Sequence, residues 1–408
     1  MPITFSIYLT QLVNALQNEN GPDLALLLRP TSPHGKDLIK ELRNPSRQAL
    51  SGYEGSIEAP WDEIAIQYVL VTNHAAKKRP GEAFKEQLQL VSLFYRYLTA
   101  NSGWTLPALF SILRDLRDLA FDADLHAKYN GQKSECMEEA ARTITKAFGN
   151  CMTDRTSPHA YSRKWGVYYV VGLVLKCYFR VKRISLARNI LRALDAGDIP
   201  DLKLYPRSHQ VTFWYYTGML SFLNEDYAKS ETELTSAFYN CHIQAHSNQE
   251  RILTFLIPLR ILRGHLPSRE LLQRFPVLDE LYAPFMAAIR AGDITAYDRA
   301  LDTWERRLVE LNLWLTLEKA RELCVRGLFR RVWVASQKST RIPLAMFHAA
   351  LRISGVAVDA DEAECYVAGM IYKGFVRGYI SHEKQIVVLA GTNTFPRLED
   401  RPNPFAVL

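Results

Sequence analysis

The 408-residue sequence lacks the short motifs by which catalytic and nucleotide-binding sites are usually recognised. It has no GxxxxGKS/T loop and no GxGxxG after a strand, so nothing predicts a nucleotide cradle. It also has no HExxH metal motif, no GxSxG nucleophile elbow and no CxxC redox pair. We therefore predict that the chain is not an enzyme and that it has no catalytic residue, no cofactor and no metal ligand. A hydrolase whose site escapes motif recognition is kept only as a residual alternative.

Cysteine and long apolar runs are also scarce. The six cysteines are scattered without ligand spacing, which fits reduced thiols in the cytosol or nucleus. The most apolar run, residues 165–178, is too short for a membrane span and suits a buried helix. Residues 1–21 have no basic region and no cleavage site, so they are predicted to form an amphipathic helix and not a signal peptide. We expect a protein in aqueous solution inside the cell, without a membrane partner.

What the sequence does have is a succession of helix-length segments separated by Pro and Gly, with few strand signals before residue 375. Residues 182–191, 225–234 and 292–301 align with one another, and residues 214–238 resemble one degenerate tetratricopeptide-like helix pair. Residues 30–55, rich in Pro, Ser, Gly and charge, are predicted to be a mobile linker. The main body is therefore predicted to be an all-α helical-repeat superhelix, which favours a scaffold over an enzyme.

The C-terminal segment has a different pattern. Arg341-Ile-Pro-Leu344 is expected to open one short helix, Asp361 a second, and residues 375–389 read as a two-stranded hairpin. Helix, helix and β-ribbon in this order predict a winged helix. We predict four parts: an N-terminal helical region (1–140), a helical-repeat solenoid (141–318), a winged-helix module (319–398) and a tail (399–408).

Positive charge is concentrated in this C-terminal segment. Between Lys319 and Arg397 there are twelve Lys or Arg and six Asp or Glu, a balance of +6 against +7 for the whole chain. Such a concentration beside a helix and wing is expected of phosphate-backbone binding. The predicted nucleic-acid-binding residues are Arg326, Arg330, Arg331, Lys373, Arg377 and Lys384. The alternative is a solvated basic face, or a dock for an acidic protein.

Helical repeats that run into a C-terminal winged helix resemble the PCI domain, the scaffold shared by the proteasome lid, the signalosome and a translation initiation complex. Local sequence between about residues 140 and 398 is similar to the fungal proteins called signalosome subunit twelve, which are related to the PCI subunit of the nuclear mRNA-export complex. The segments that carry this resemblance are Cys151-Met-Thr-Asp-Arg155, Ser162-Arg-Lys-Trp-Gly-Val-Tyr-Tyr169, residues 184–194, residues 221–228, Leu256-Ile-Pro258, Thr340-Arg-Ile-Pro343, Met370-Ile-Tyr-Lys-Gly374 and Gly378-Tyr-Ile380.

The resemblance implies a nuclear, non-catalytic subunit, with the cytoplasm as a second compartment. It implies a hetero-oligomer in which the winged helix pairs with that of a GANP-type PCI protein and a small acidic DSS-type protein stabilises the chain. It further implies RNA or DNA binding in transcription-coupled mRNA maturation, splicing or export. The competing reading is a protein-only scaffold of a signalosome-like or proteasome-lid-like assembly, in which the basic face meets an acidic chain.

Overall fold

The computed structural model describes residues 3–43 and 45–398, and α-helices dominate both ranges. The predicted all-α body followed by a small C-terminal sheet is confirmed. In chain order the helices are α1 Phe5–Gln17, α2 Gly21–Leu27, α3 Pro33–Leu42, α4 Arg47–Leu50, α5 Trp61–Ala76, α6 Pro80–Ala100, α7 Leu106–Tyr129, α8 Cys136–Met152, α9 Val167–Arg180, α10 Ala187–Asp195, α11 Arg207–Leu223, α12 Tyr227–Asn240, α13 His246–Leu262, α14 Arg269–Gln273, α15 Pro276–Ala291, α16 Ile294–Glu310, α17 Trp314–Ala335, α18 Leu344–Ile353 and α19 Ala360–Tyr372. The strands are β1 Arg341–Pro343, β2 Gly378–Ser381 and β3 Ile386–Leu389.

The chain divides into two compact units, which meet in sequence between Tyr216 and Thr217. The four predicted domain boundaries stay predictions, and the predicted tail, residues 399–408, lies outside the described residues. No helix of the described ranges is both long enough and apolar enough to cross a membrane.

In the first unit, helices that follow one another in the chain pack side by side, α5 on α6, α6 on α7 and α8 on α9. Their apolar stripes meet in a core where Ile64, Phe94, Ile112 and Leu116 have no exposed surface. The end of α6 is fixed by Arg163, a buried residue whose Nη1 donates to the carbonyl oxygens of three α6 and post-α6 residues. These are Leu98 at 2.8 Å, Thr99 at 2.9 Å and Asn101 at 2.7 Å.

The prediction of a mobile linker over residues 30–55 is wrong, because this stretch contains α3 and α4. Composition alone suggested a linker, but Leu38 and His34 of α3 are buried. The His34 ring lies among polar atoms, with Nε2 3.0 Å from the carbonyl oxygen of Leu27 and 2.9 Å from the hydroxyl of Tyr68. Tertiary contacts therefore order a segment whose sequence has turn-like composition.

In the second unit, α12 packs against the part of α11 that belongs to the same unit, which is the helix pair predicted around residues 214–238. The Ser230 hydroxyl donates to the carbonyl oxygen of Gly218 over 2.8 Å. A Cβ at position 218 would lie 2.8 Å from Cγ of Leu234, so only glycine allows this approach. Asp226 caps α12 by accepting a hydrogen bond from the Lys229 N–H at 3.2 Å.

Two glycines let α17 lie close to the end of α15. Gly292 ends α15 in the left-handed conformation, with φ of 65°, and a Cβ there would lie 2.8 Å from the backbone nitrogen of Leu328. A Cβ on Gly327 would lie 3.1 Å from the carbonyl oxygen of Ile289. The last turn of α15 and the middle of α17 therefore approach almost backbone to backbone.

The winged-helix module consists of β1, α18, α19 and the β2–β3 hairpin. The three strands form an antiparallel sheet in the order β1-β3-β2, with Ile342 opposite Val387 and Ile380 also opposite Val387. The expectation that Arg341 opens a helix is wrong, since residues 341–343 are the strand β1 and α18 begins at Leu344. Extended backbone at Pro343 (φ −58°, ψ 137°) and burial of Ile342 against the sheet favour the strand.

α19 begins with a capping box, a more specific start signal than Asp361 alone. Asp359 accepts a hydrogen bond from the Glu362 N–H at 2.8 Å, and Glu362 accepts one from the Asp359 N–H at 3.0 Å. Ala363, Val367 and Met370 are buried, as the three- and four-residue spacing of the apolar positions requires.

Candidate nucleic-acid interface

A groove of about 580 Å³ on the C-terminal half of α17 brings together three of the six predicted nucleic-acid-binding residues. We call it the basic groove. Arg326, Arg330 and Arg331 line it together with Arg290, from the end of α15. The remaining lining residues are Gly264, Leu266, Ile289, Leu323, Gly327, Val334, Ala335 and Leu398. Four guanidinium groups thus share one concave surface.

Arg331 is held in the groove by a backbone contact. Its Nη2 donates a hydrogen bond to the carbonyl oxygen of Arg290 over 2.9 Å. Arg331 and Arg330 are both exposed, and so is Arg290. Among the described residues these three arginines have no carboxylate partner, so their charge is available to a phosphate.

Arg326 has a different environment, because it fastens the last described residues of the chain to α17. Its Nη2 donates to the carbonyl oxygen of Pro396 at 2.9 Å, and its guanidinium carbon lies 5.9 Å from the ring centre of Phe395. The Phe395 ring also packs against Trp333, with centroids 5.6 Å apart. Burial, together with the nearby charge of Arg330, lowers the pKa of Arg326. We name residues 394–398 the C-terminal strap.

The other three predicted residues do not line the basic groove. Lys373, just after α19, forms an ion pair with Glu322 of α17. Arg377 is exposed at the base of the hairpin, where its N–H donates to the carbonyl oxygen of Thr394 at 2.9 Å. Lys384 is exposed in the turn between β2 and β3. The structure therefore separates the six residues into a cluster on α17, a paired lysine and two hairpin positions.

The second helix of the winged module, α19, carries acidic charge. Asp361 and Glu362 are exposed in its first turn. Glu364 interacts with His382 of the hairpin, with Oε2 of the carboxylate 2.9 Å from Nδ1 of the ring. That contact raises the pKa of His382. A DNA groove is lined by phosphates, so an acidic helix face is repelled from it.

Sequence reasoning missed Arg290, which lies 41 positions before Arg331. Nothing local to Arg290 marks it, since it is one exposed arginine at the end of an amphipathic helix. The nearest signal is Gly292, whose position after the helix predicts a left-handed cap but not the helix that packs against it. In residues 3–43 and 45–398 no group of three or more His, Cys, Asp or Glu side chains could hold a metal ion.

Comparison with known proteins agrees with this architecture. Residues 301–390 match the family model of the PCI domain. Protein CSN12 homolog of Schizosaccharomyces pombe is 36% identical over 418 aligned residues, which cover 97% of this chain and 98% of that protein. Protein CSN12 homolog of Mycosarcoma maydis is 37% identical over 446 aligned residues, covering 96% and 98%. PCI domain-containing protein 2 of Xenopus laevis is 31% identical over 401 aligned residues, covering 97% and 98%.

These matches extend beyond the winged-helix module, because they cover nearly the whole chain and nearly the whole of each relative. The PCI domain and the likeness to the subunit-twelve type, which the sequence predicted over about residues 140–398, are confirmed, and the likeness reaches well before residue 140. The chain belongs to the family of PCI-domain proteins that includes the CSN12 homologs and PCI domain-containing protein 2.

Proposed function

We propose that this chain is a non-catalytic scaffold subunit of a nuclear complex that holds RNA or DNA by its phosphate backbone in the basic groove. In this proposal the winged helix pairs with that of a GANP-type PCI protein, and a small acidic DSS-type protein joins the pair. The complex acts in transcription-coupled mRNA maturation, splicing or export. The observation that carries the nucleic-acid part is the convergence of Arg290, Arg326, Arg330 and Arg331 on one groove.

The energetic reason is that these charges are not neutralised within the described chain. Three exposed guanidinium groups on one surface repel one another, and a phosphate backbone with regularly spaced negative charge relieves that repulsion. Arg326 has a structural role in the groove, since its guanidinium donates a hydrogen bond to Pro396 of the C-terminal strap. Arg377 and Lys384 are proposed as secondary phosphate contacts from the hairpin, whereas Lys373 must first leave Glu322.

The mode of contact follows from the position of the charge. The acidic first turn of α19 disfavours insertion of that helix into a duplex groove, so base edges are not read there. Binding is instead proposed to be sequence-tolerant, to depend strongly on salt, and to accept single strands.

The test is fluorescence anisotropy of a labelled single-stranded RNA titrated with the full chain at several salt concentrations. Arg330→Glu combined with Arg331→Glu should weaken binding at low salt and flatten the slope of log K against log salt by about 1.4, as expected for two lost contacts to a single strand. The matched control is Arg306→Glu with Arg307→Glu, another exposed adjacent pair of arginines in the same unit, which pairs with Glu310. Equal losses in the two double variants would overturn the proposal, because the effect would then be one of net charge.

The partners are tested separately, by mass spectrometry of proteins that co-purify with the tagged chain from nuclear extract after nuclease treatment. Recovery of a GANP-type PCI protein with a small acidic chain is the expected result. Enrichment of the tagged chain in the nucleus checks the proposed compartment.

A second candidate is a protein-only scaffold of a signalosome-like or lid-like assembly. The acidic exposed turn of α19 favours it, and so do the relatives that bear the name CSN12 homolog. It predicts recovery of a signalosome or lid core, and no nucleic-acid affinity above that of an unrelated protein of matched net charge.

A further inference from the structure

A second groove, of about 760 Å³, lies between α17 and α19, and its charge is opposite to that of the basic groove. We call it the acidic groove. Its floor is apolar, because Val325 and Met370 line it and are 3% and 4% exposed, with Val358 beside them. Its acidic lining residues are Glu318, Glu322, Asp359, Asp361 and Glu362. The remaining lining residues are Arg321, Cys365, Tyr366, Gly369 and Lys373.

The two cations in this groove are already neutralised from within the chain. Arg321 forms a fork with Asp298 of α16, Nε to Oδ1 at 2.6 Å and Nη2 to Oδ2 at 2.8 Å. These hydrogen bonds raise the pKa of Arg321, so the pair is firmly held. Lys373 is paired with Glu322. The free charge that the groove presents is therefore negative.

Helix capping explains only part of that negative charge. Asp359 and Glu362 form the capping box of α19 and gain stability from the helix N-terminus. Glu318 and Asp361 are also exposed, and within the described chain neither side chain makes a hydrogen bond or an ion pair, although the charge of Asp361 helps to raise the pKa of His382. They come from different helices and face one apolar-floored groove, an arrangement that capping does not require.

We propose that the acidic groove docks a Lys- or Arg-rich segment of a partner protein that carries one bulky aliphatic side chain. The aliphatic side chain packs on Val325, Val358 and Met370, and the flanking cations pair with Glu318 and Asp361. Apolar contact supplies the affinity and the acidic rim supplies selectivity for a basic sequence over an acidic one. The same rim excludes nucleic acid, so α17 separates a phosphate-binding surface from a peptide-binding surface. This inference does not depend on nucleic-acid binding in the basic groove.

The exposed Cys365 provides a local reporter, since it lines the groove and the other cysteines are buried or half-buried. The probe is the synthetic peptide Gly-Arg-Arg-Leu-Arg-Arg-Gly, and the readout is the rate at which maleimide alkylates the Cys365 thiol in the full chain. We expect the peptide to slow this alkylation. The peptide with Leu replaced by Ser should protect less, and the peptide with each Arg replaced by Asp should not protect.

Glu318→Lys with Asp361→Lys should weaken protection about tenfold, because two exposed ion pairs become two repulsions. The charge-neutral variant, Glu318→Gln with Asp361→Asn, keeps the side-chain shape and should give an intermediate loss. The matched control is Asp302→Lys with Glu305→Lys, two exposed acids of α16 outside the groove, which should leave protection unchanged.

Three results would each overturn the proposal. The α16 control could lose as much peptide protection of Cys365 as the double lysine variant, or the double lysine variant could keep full protection. Alternatively, Cys365 could become protected without peptide as the concentration of the chain rises. The last result would mean that a second copy occupies the groove. Measuring RNA affinity on the same variants separates this test from that of the proposed function, because the acidic-groove variants should retain RNA binding while the Arg330 and Arg331 variant loses it.

Discussion

The guanidinium of Arg331 donates a hydrogen bond to the backbone carbonyl oxygen of Arg290 across 2.9 Å. The acceptor belongs to the last turn of α15, where the partial negative charge of the helix C-terminus favours a cation. The relationship depends on the close approach of α15 and α17 at Gly292 and Gly327, so the backbone packing of these helices sets the spacing of charge in the basic groove.

Gly292→Ala is therefore expected to destabilise the second unit by about 1–3 kcal/mol. The left-handed backbone disfavours any side chain, and the new Cβ would meet the backbone nitrogen of Leu328. Urea unfolding of the full chain, followed by intrinsic fluorescence, measures the change. Gly369→Ala in α19 has open space around the new methyl group and should be neutral or stabilising by about 0.5–1 kcal/mol. Equal behaviour of the two variants would contradict the packing argument.

Loss of the Arg163 side chain is expected to lower the free energy of unfolding of the first unit by about 3–5 kcal/mol. Arg163→Met leaves three carbonyl oxygens at the end of α6 without their donor, and it leaves the fully buried Asp154 side chain without its cation, 3.6 Å away. The measurement is the shift of the urea midpoint at neutral pH. Arg183→Met, which removes an exposed pair with Glu138, should change the free energy of unfolding by less than about 1 kcal/mol.

The same site predicts a dependence on acid. Burial would raise the pKa of Asp154, but hydrogen bonds from the Arg163 N–H at 2.8 Å and the Ser162 hydroxyl at 2.9 Å outweigh it and lower that pKa. Asp154 thus contributes stability that is present above its unfolded pKa, about 3.9, and is lost as pH falls through the lower folded value. Asp154→Asn should be less stable than the unaltered chain at pH 7, and it should lose less stability as the pH falls below about 4. The same loss of stability below pH 4 in both proteins would contradict this assignment.

His34 predicts a second pH effect, at higher pH. Burial lowers the pKa of this histidine, so the folded first unit favours the neutral ring. Its contribution is present above the unfolded value of about 6.5 and declines as pH falls below it, because the unfolded chain then binds a proton that the folded chain resists. His34→Asn should reduce the loss of stability between pH 7.5 and 5.5. The reduction is partial, since burial lowers the pKa of His209 in the same way.

The C-terminal strap gives a prediction about local order. Phe395→Ala removes the ring that lies between Trp333 and the Arg326 guanidinium, so residues 394–398 should detach more often. Trypsin cleavage after the exposed Arg397, timed by mass spectrometry, should accelerate several-fold while global stability changes little. Tyr379→Ala, which removes an exposed aromatic residue of the hairpin, should leave the cleavage rate unchanged.

Much of the fold could be predicted because it depends on local periodicity. The order of α18, α19 and the hairpin follows from apolar spacing and glycine positions. Arg326 and Arg330 are neighbours on any helix that spans them, since residues four positions apart lie on one face. Composition misled at residues 30–55, where burial of Leu38 orders a segment rich in Pro and Ser. At Arg341 the start of α18 was misplaced because strand pairing with β3 is a non-local contact.

The sequence by itself determined the helical body, the winged-helix module and the concentration of basic residues near the C-terminus, all of which are encoded by neighbours along the chain. Only the tertiary structure decided how those charges are distributed. It added Arg290 to the basic groove, joined Lys373 to Glu322, and set Glu318 and Asp361 around an apolar floor. The physical reason is that these contacts join residues about 40 or more positions apart, so helix packing and not local propensity sets their distances. For Arg290 that packing is the close approach of α15 and α17 at Gly292 and Gly327.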